Sequence, residues 1–134
     1  MAQIVRKGKA IVETRDGILV VAERRGGWKL PGGHAKGWET KKEAMVRELR
    51  EETGLKARRV ISLFRQTENR PVGRGRSVET RTKVFRVEAE GTPEPHHEIT
   101  RIAFWRRRSK LRLVNGTRET IQRYLRTARV NNKS

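Results

Sequence analysis

Cysteine is absent from this 134-residue chain. That excludes disulfides, a thiolate metal site and a cysteine nucleophile, so any metal must be held by oxygen or imidazole. Long apolar runs are missing too. No stretch approaches the roughly 20 consecutive apolar residues that span a bilayer, and the opening Met1 to Ala10 has no apolar signal-peptide core. The expectation is a cytoplasmic protein with no membrane partner. There is no serine-centred nucleophile motif and no Gly-Lys-Ser/Thr phosphate loop. Apolar residues are only 34% of the chain against 36% charged, a balance that alone would suggest disorder. The apolar residues are, however, grouped into periodic segments, which argues for folding. The length suits one core, and no repeat or linker divides it, so residues 1–134 are expected to form a single domain.

Acids are scarce, with 15 Asp and Glu against 33 Lys and Arg and a formal charge of +18. Such a surface attracts anions, whether a phosphorylated small molecule or nucleic acid, and the charge alone names neither. The few acids are concentrated. Glu39, Glu43, Glu48, Glu51 and Glu52 share one window with Lys41, Lys42, Arg47 and Arg50, where acid outnumbers base. A small island of carboxylate in a positive chain is the arrangement expected of a site that binds a metal together with a polyanion.

The segments Ile4 to Glu13 and Ile18 to Glu23 flank Arg15-Asp16-Gly17 and read as a hairpin. Gly26-Gly27 breaks the pattern, and Trp28 to Gly33 is too rich in glycine for regular helix. A helix is expected from Thr40, where Thr40 and Glu43 have capping-box spacing, to Thr53, before Gly54. Met45, Val46 and Leu49 give it an apolar stripe. Arg59 to Phe64 and Lys83 to Val87 read as strands, separated by a polar stretch at 66–77 that is a long loop or an extended hairpin tip. A last strand near Ile102 to Trp105 and a helix over about 117–128, with Ile121, Tyr124 and Leu125 on one face, complete the chain. The stripes on both helices predict an α/β/α sandwich around a mixed sheet.

From Gly33 the chain reads Gly, five residues, Glu39, seven residues, then Arg47-Glu48-Leu49-Arg50-Glu51-Glu52-Thr53-Gly54-Leu55. Glu48, Glu51 and Glu52 stand at i, i+3 and i+4 of the expected helix and share a neighbouring face. Without a cation these carboxylates would repel one another, and Mg²⁺ favours one or two carboxylates together with substrate phosphates and water. Segment 33–55 resembles the Nudix box, the signature of the Nudix hydrolases, MutT-like enzymes, at every fixed position. The resemblance implies a Nudix-type α/β/α fold and hydrolysis of a phosphoanhydride bond with Mg²⁺, or Mn²⁺ in its place. Glu48, Glu51 and Glu52 match the family's metal ligands, and Glu39 matches a supporting glutamate. Arg47, four residues before Glu51, is placed to orient that carboxylate. Gly33 and Gly54 are expected to let the loop pack on the helix and the helix end. The catalytic base is Glu51, Glu52 or Glu98, the last resembling the acid that many members carry shortly before a strand ending in Trp, here Trp105. Water is the nucleophile, so no covalent enzyme intermediate is required.

Substrate choice lies outside the box. Arg65, Arg70, Arg74, Arg76 and Arg81 are candidates to meet phosphate oxygens; Arg70, Arg74 and Arg76, around Pro71, Gly73 and Gly75, are expected on a mobile segment. Trp28, Phe64, Phe85 and Trp105 are candidates for base stacking, although aromatics in strands more often belong to the core. Nucleoside triphosphates and dinucleoside polyphosphates lead the candidate substrates, ahead of an RNA 5′ end or a diphosphoinositol phosphate. The alternative is a nucleic-acid-binding or RNA 5′-end-processing protein on the same fold. Monomer and homodimer are both open.

Overall fold

The computed structural model describes residues 2–131, with side chains through residue 128. Seven strands and two helices follow one another as β1 (Ala2–Ile11), β2 (Glu13–Thr14), β3 (Gly17–Glu23), β4 (Gly32–His34), α1 (Lys41–Thr53), β5 (Lys56–Gly73), β6 (Arg76–Glu90), β7 (Ile99–Trp105) and α2 (Thr117–Asn131). The strands form two sheets. One is mixed, in the order β4-β1-β6-β5, with β1 parallel to β6; the other is antiparallel, in the order β2-β3-β7.

Period-two alternation divides the core between two faces. Ala10, Val12, Leu19, Phe85 and Val87 pack with Met45 and Leu49 of α1. Their neighbours Ile11, Ile18, Val20 and Val84 pack with Ile121 and Tyr124 of α2. The α/β/α sandwich is therefore as expected, except that the sheet layer is two sheets, of which only one is mixed.

One expectation changes and one open alternative is decided. Only the far end of the first segment joins the hairpin, through Glu13 opposite Ile18 and Thr14 opposite Gly17. The chain crosses at the buried Val12, and β1 spends its hydrogen bonds on β6 and β4 instead. Of the two readings of the polar stretch 66–77, the extended hairpin holds: β5 and β6 stay paired out to Gly73 opposite Arg76. Arg70 and Arg76 thus lie in strands, and Arg74, at φ 47, lies in the turn.

α1 starts as its sequence dictates. Thr40 Oγ1 accepts from Glu43 N at 3.0 Å and Glu43 Oε1 accepts from Thr40 N at 3.0 Å. It stops at the left-handed Gly54, whose N–H donates to Arg50 O. The helix lies close to β1 because of Gly8, where a Cβ would stand 2.0 Å from the carbonyl oxygen of Lys41. Among the described residues no helix is long and apolar enough to cross a membrane.

Candidate active site

The box glutamates occupy one helix but three environments. Successive residues turn by about 100°, so Glu52 rolls under the helix, where it is 2% exposed, while the Glu51 side chain stays 45% exposed. Glu48 lies between them, against the backbone of Gly33. A Cβ at Gly33 would stand 3.0 Å from Glu48 Cδ, so only glycine lets this carboxylate sit there without displacement. Glu52 Oε1 accepts from Gly32 N at 2.8 Å. Burial pushes the Glu52 carboxyl up to about 7, against the opposing pull of the Gly32 N–H and of Lys9.

Arg47 ties the surrounding acids together. Its Nε and Nη2 donate to the two oxygens of Glu39 at 2.7 and 2.9 Å, a bidentate pair. Its Nη1 reaches Glu48 at 2.8 Å and Glu51 at 3.2 Å, and Nη2 also reaches the carbonyl of His34 at 3.2 Å. These bonds, and then the backbone N–H of Lys36, hold the Glu39 carboxyl down at about 2. Glu39 is 4% exposed, and its own carbonyl accepts from Arg6. Arg47 therefore orients Glu48 as well as the expected Glu51, and Glu39 anchors Arg47 rather than facing the cluster.

Glu98 joins from the far side. The last carbonyls of a helix have no partner within it, and here the loop after β6 supplies two. Glu94 N donates to Thr53 O and His96 N to Glu52 O, both at 3.0 Å. His97 then takes a left-handed conformation, φ 56, and the chain enters β7. Carboxylate oxygens of Glu48, Glu52 and Glu98 lie within 4.8 Å of one another. Glu51 stands outside this converging set. Three carboxylates this close, one of them buried, fit a hard divalent cation, which would relieve the repulsion that Arg47 at Glu48 and Lys9 at Glu52 offset only in part.

A cavity of about 640 Å³ opens on the other side of β1, lined in part by Lys7, Lys9, Lys29 and Arg70. Lys9 connects the two regions: it lines the cavity and acts electrostatically on Glu52 and Glu48. Burial, then repulsion from Lys7, pushes the Lys9 ammonium down to about 8. Of the five candidate arginines only Arg70 lines this cavity. Arg65 and Arg81 are on the opposite face of the hairpin, where both repel Lys41 of α1, and Arg81 is paired with Glu79. Arg74 and Arg76 lie at the tip. The aromatics are elsewhere: Phe85 and Trp105 are buried in the core, Trp28 stacks with Arg101 and Phe64 with Arg123. Lys7 and Lys9 went unread in the sequence, although their spacing of two in a strand was a signal that both share one face.

Residues 7–124 match the NUDIX domain family. A curated relative, an uncharacterized Nudix hydrolase (YvcI) of Bacillus subtilis strain 168, is 36% identical over 56 residues, which cover 41% of this chain and 35% of that protein. The match thus spans about a third of the relative's length. Among solved structures, a nudix hydrolase family member from Chromobacterium violaceum is similar with TM-score 0.77 and 34% identity, over 92% of this chain and 78% of the other. An ADP-ribose pyrophosphatase from Streptococcus suis is similar with TM-score 0.60 and 26% identity, over 84% and 81%.

Proposed function

Because the chain belongs to the NUDIX domain family, we propose that it is a pyrophosphohydrolase that uses Mg²⁺, or Mn²⁺ in its place, to cleave the phosphoanhydride bond of a diphosphate-linked small molecule. The observation that carries this reading is the convergence of Glu48, Glu52 and Glu98 beside a cavity rich in lysine. These three carboxylates would hold the metal. When bound, the metal supplies neutralisation of charge on the phosphate oxygens and activation of water. Glu52 and Glu48 are fixed by the Gly32 N–H and by Arg47, so little reorganisation is needed when substrate arrives.

Glu51 is exposed, outside the converging set, and held at its edge by Arg47. It is the group we assign to accept the proton of the attacking water. The water oxygen bonds to phosphorus, the bridging P–O bond breaks, and the leaving phosphate departs with the electron pair. Lys9, which acts electrostatically on Glu52, would meet the nearest phosphate charge. Compounds with several phosphates, nucleoside triphosphates and dinucleoside polyphosphates among them, are the first to test.

The test is product release from a panel of diphosphate compounds, ADP-ribose included, with Mg²⁺ and with a chelator. Release that requires Mg²⁺, and that Glu51→Gln slows without weakening metal binding, supports the assignment. Equal release with the chelator contradicts it.

A further inference from the structure

Among the described residues, three cations in the cavity have no carboxylate within ion-pairing distance. Among the described residues Arg47, Lys29 and Arg81 all have a carboxylate within ion-pairing distance, but Lys7, Lys9 and Arg70 have none. Lys7 and Lys9 stand on one face of β1, opposite Thr82 and Val84 of β6, which also line the cavity. Burial and then Lys29 lower the affinity of Lys7 for its proton, against the pull of Glu68, and burial and then Lys7 do the same for Lys9, against the pull of Glu52. Holding these ammonium groups together costs free energy that a bound anion would return.

The rest of the lining narrows the anion. Beyond one acid, Glu68, it consists of amide and threonine side chains and a few aliphatic groups from Leu30, Val78, Val84 and Val114. No aromatic side chain lines it among the described residues, and Phe64, Phe85 and Trp28 already stack on Arg123, Lys83 and Arg101. A nucleobase buried here would have no ring to stack on. The start of α2, through Thr117 and Thr120 with Gly116 just before it, closes one wall and adds the positive end of its dipole.

We infer that this cavity receives a multiply phosphorylated, non-aromatic part of the substrate, such as phosphates on a polyol ring or a bare phosphate chain. Any nucleobase then lies outside it. The inference rests on the hydrolytic reading for its place beside the scissile bond, but its test needs neither metal nor anhydride. The full chain is titrated calorimetrically, without metal at about 0.15 M salt to screen loose surface binding, with inositol hexakisphosphate and with ADP-ribose.

Inositol hexakisphosphate is expected to bind tighter than ADP-ribose. Lys7→Gln with Arg70→Gln should weaken it by about tenfold or more, against about twofold or less for Arg107→Gln with Arg108→Gln, which removes the same charge from an exposed turn. Arg70→Gln alone, at an exposed strand position, repeats the comparison without disturbing β1. Equal losses in the two double variants would overturn the inference, as would no binding of the hexakisphosphate, or ADP-ribose binding tighter and through Lys7 and Arg70. A chain that binds in this way but cleaves nothing would refute the hydrolytic reading and leave the cavity assignment standing.

Discussion

The two sides of β1 handle charge in opposite ways. Around the box glutamates on α1 one arginine, Arg47, is shared by Glu39, Glu48 and Glu51, and within that cluster the excess is carboxylate. On the cavity side the excess is cation, with Lys7, Lys9 and Arg70 lacking a carboxylate partner among the described residues. A chain with so few acids would place them apart if only solubility mattered. Instead it gathers them where a divalent cation fits and leaves positive charge unpaired next door, with Lys9 touching both fields. On the proposed reading, the first side holds the metal and the second the phosphate.

Breaking the carboxylate side should have the largest effect. Glu52→Gln keeps the volume and the hydrogen bond from Gly32 but removes a buried charge. Turnover should fall by about a thousandfold or more, with an unchanged circular dichroism spectrum; wild-type turnover at limiting Mg²⁺ would remove Glu52 from the site. Gly33→Ala comes next. Its new Cβ pushes Glu48 Cδ from 3.0 Å, and a displacement of this kind costs roughly ten- to a hundredfold in kcat, measured beside an unchanged melting temperature.

Breaking the cation side should act on KM. Replacing Arg70, Arg74 and Arg76 together by glutamine should raise KM for a dinucleoside tetraphosphate several-fold more than for ADP-ribose, on the order of one lost charged contact. Since only Arg70 lines the cavity, Arg70→Gln alone should reproduce most of that change; an unchanged KM ratio at two salt concentrations would show that these arginines do not read the substrate.

The smallest effect concerns pH. Glu39 is held down at about 2 by Arg47, from an ordinary 4.5. Its stabilisation is therefore present above pH 4.5 and is lost as pH falls through about 2. Urea melts of wild type and Glu39→Gln should differ at neutral pH and converge in acid; a constant difference would mean that the pair is not what stabilises the loop.

What the sequence made legible was local. Thr40, Glu43 and Gly54 mark the ends of α1 by chemistry that acts within one turn, and the same turn brings Glu48 and Glu52 into register. Their separation into buried Glu52 and exposed Glu51 was not legible, because it depends on where the sheet lies beneath the helix. Glu98 reached the candidate list through resemblance, yet what carries it to the cluster is a loop docked on the final carbonyls of α1, a contact between distant segments. The Asp16-Gly17 signal correctly located a turn but overstated its reach, since the parallel pairing of β1 with β6 competes for the same backbone groups. For the arginines, the hairpin alternative for 66–77 is what decides their placement: alternation sends Arg65 and Arg81 to one face and Arg70 to the other.

The most direct test is a Mn²⁺ titration of the substrate-free chain, following the loss of the free-ion paramagnetic resonance signal. Glu52→Gln and Glu98→Gln should each weaken binding by about tenfold or more, the range in which loss of a ligating charge falls, while Lys7→Gln with Arg70→Gln should not weaken it. Mn²⁺ binding that is indifferent to Glu52 and Glu98 would contradict the division of the molecule into a metal side and a phosphate side.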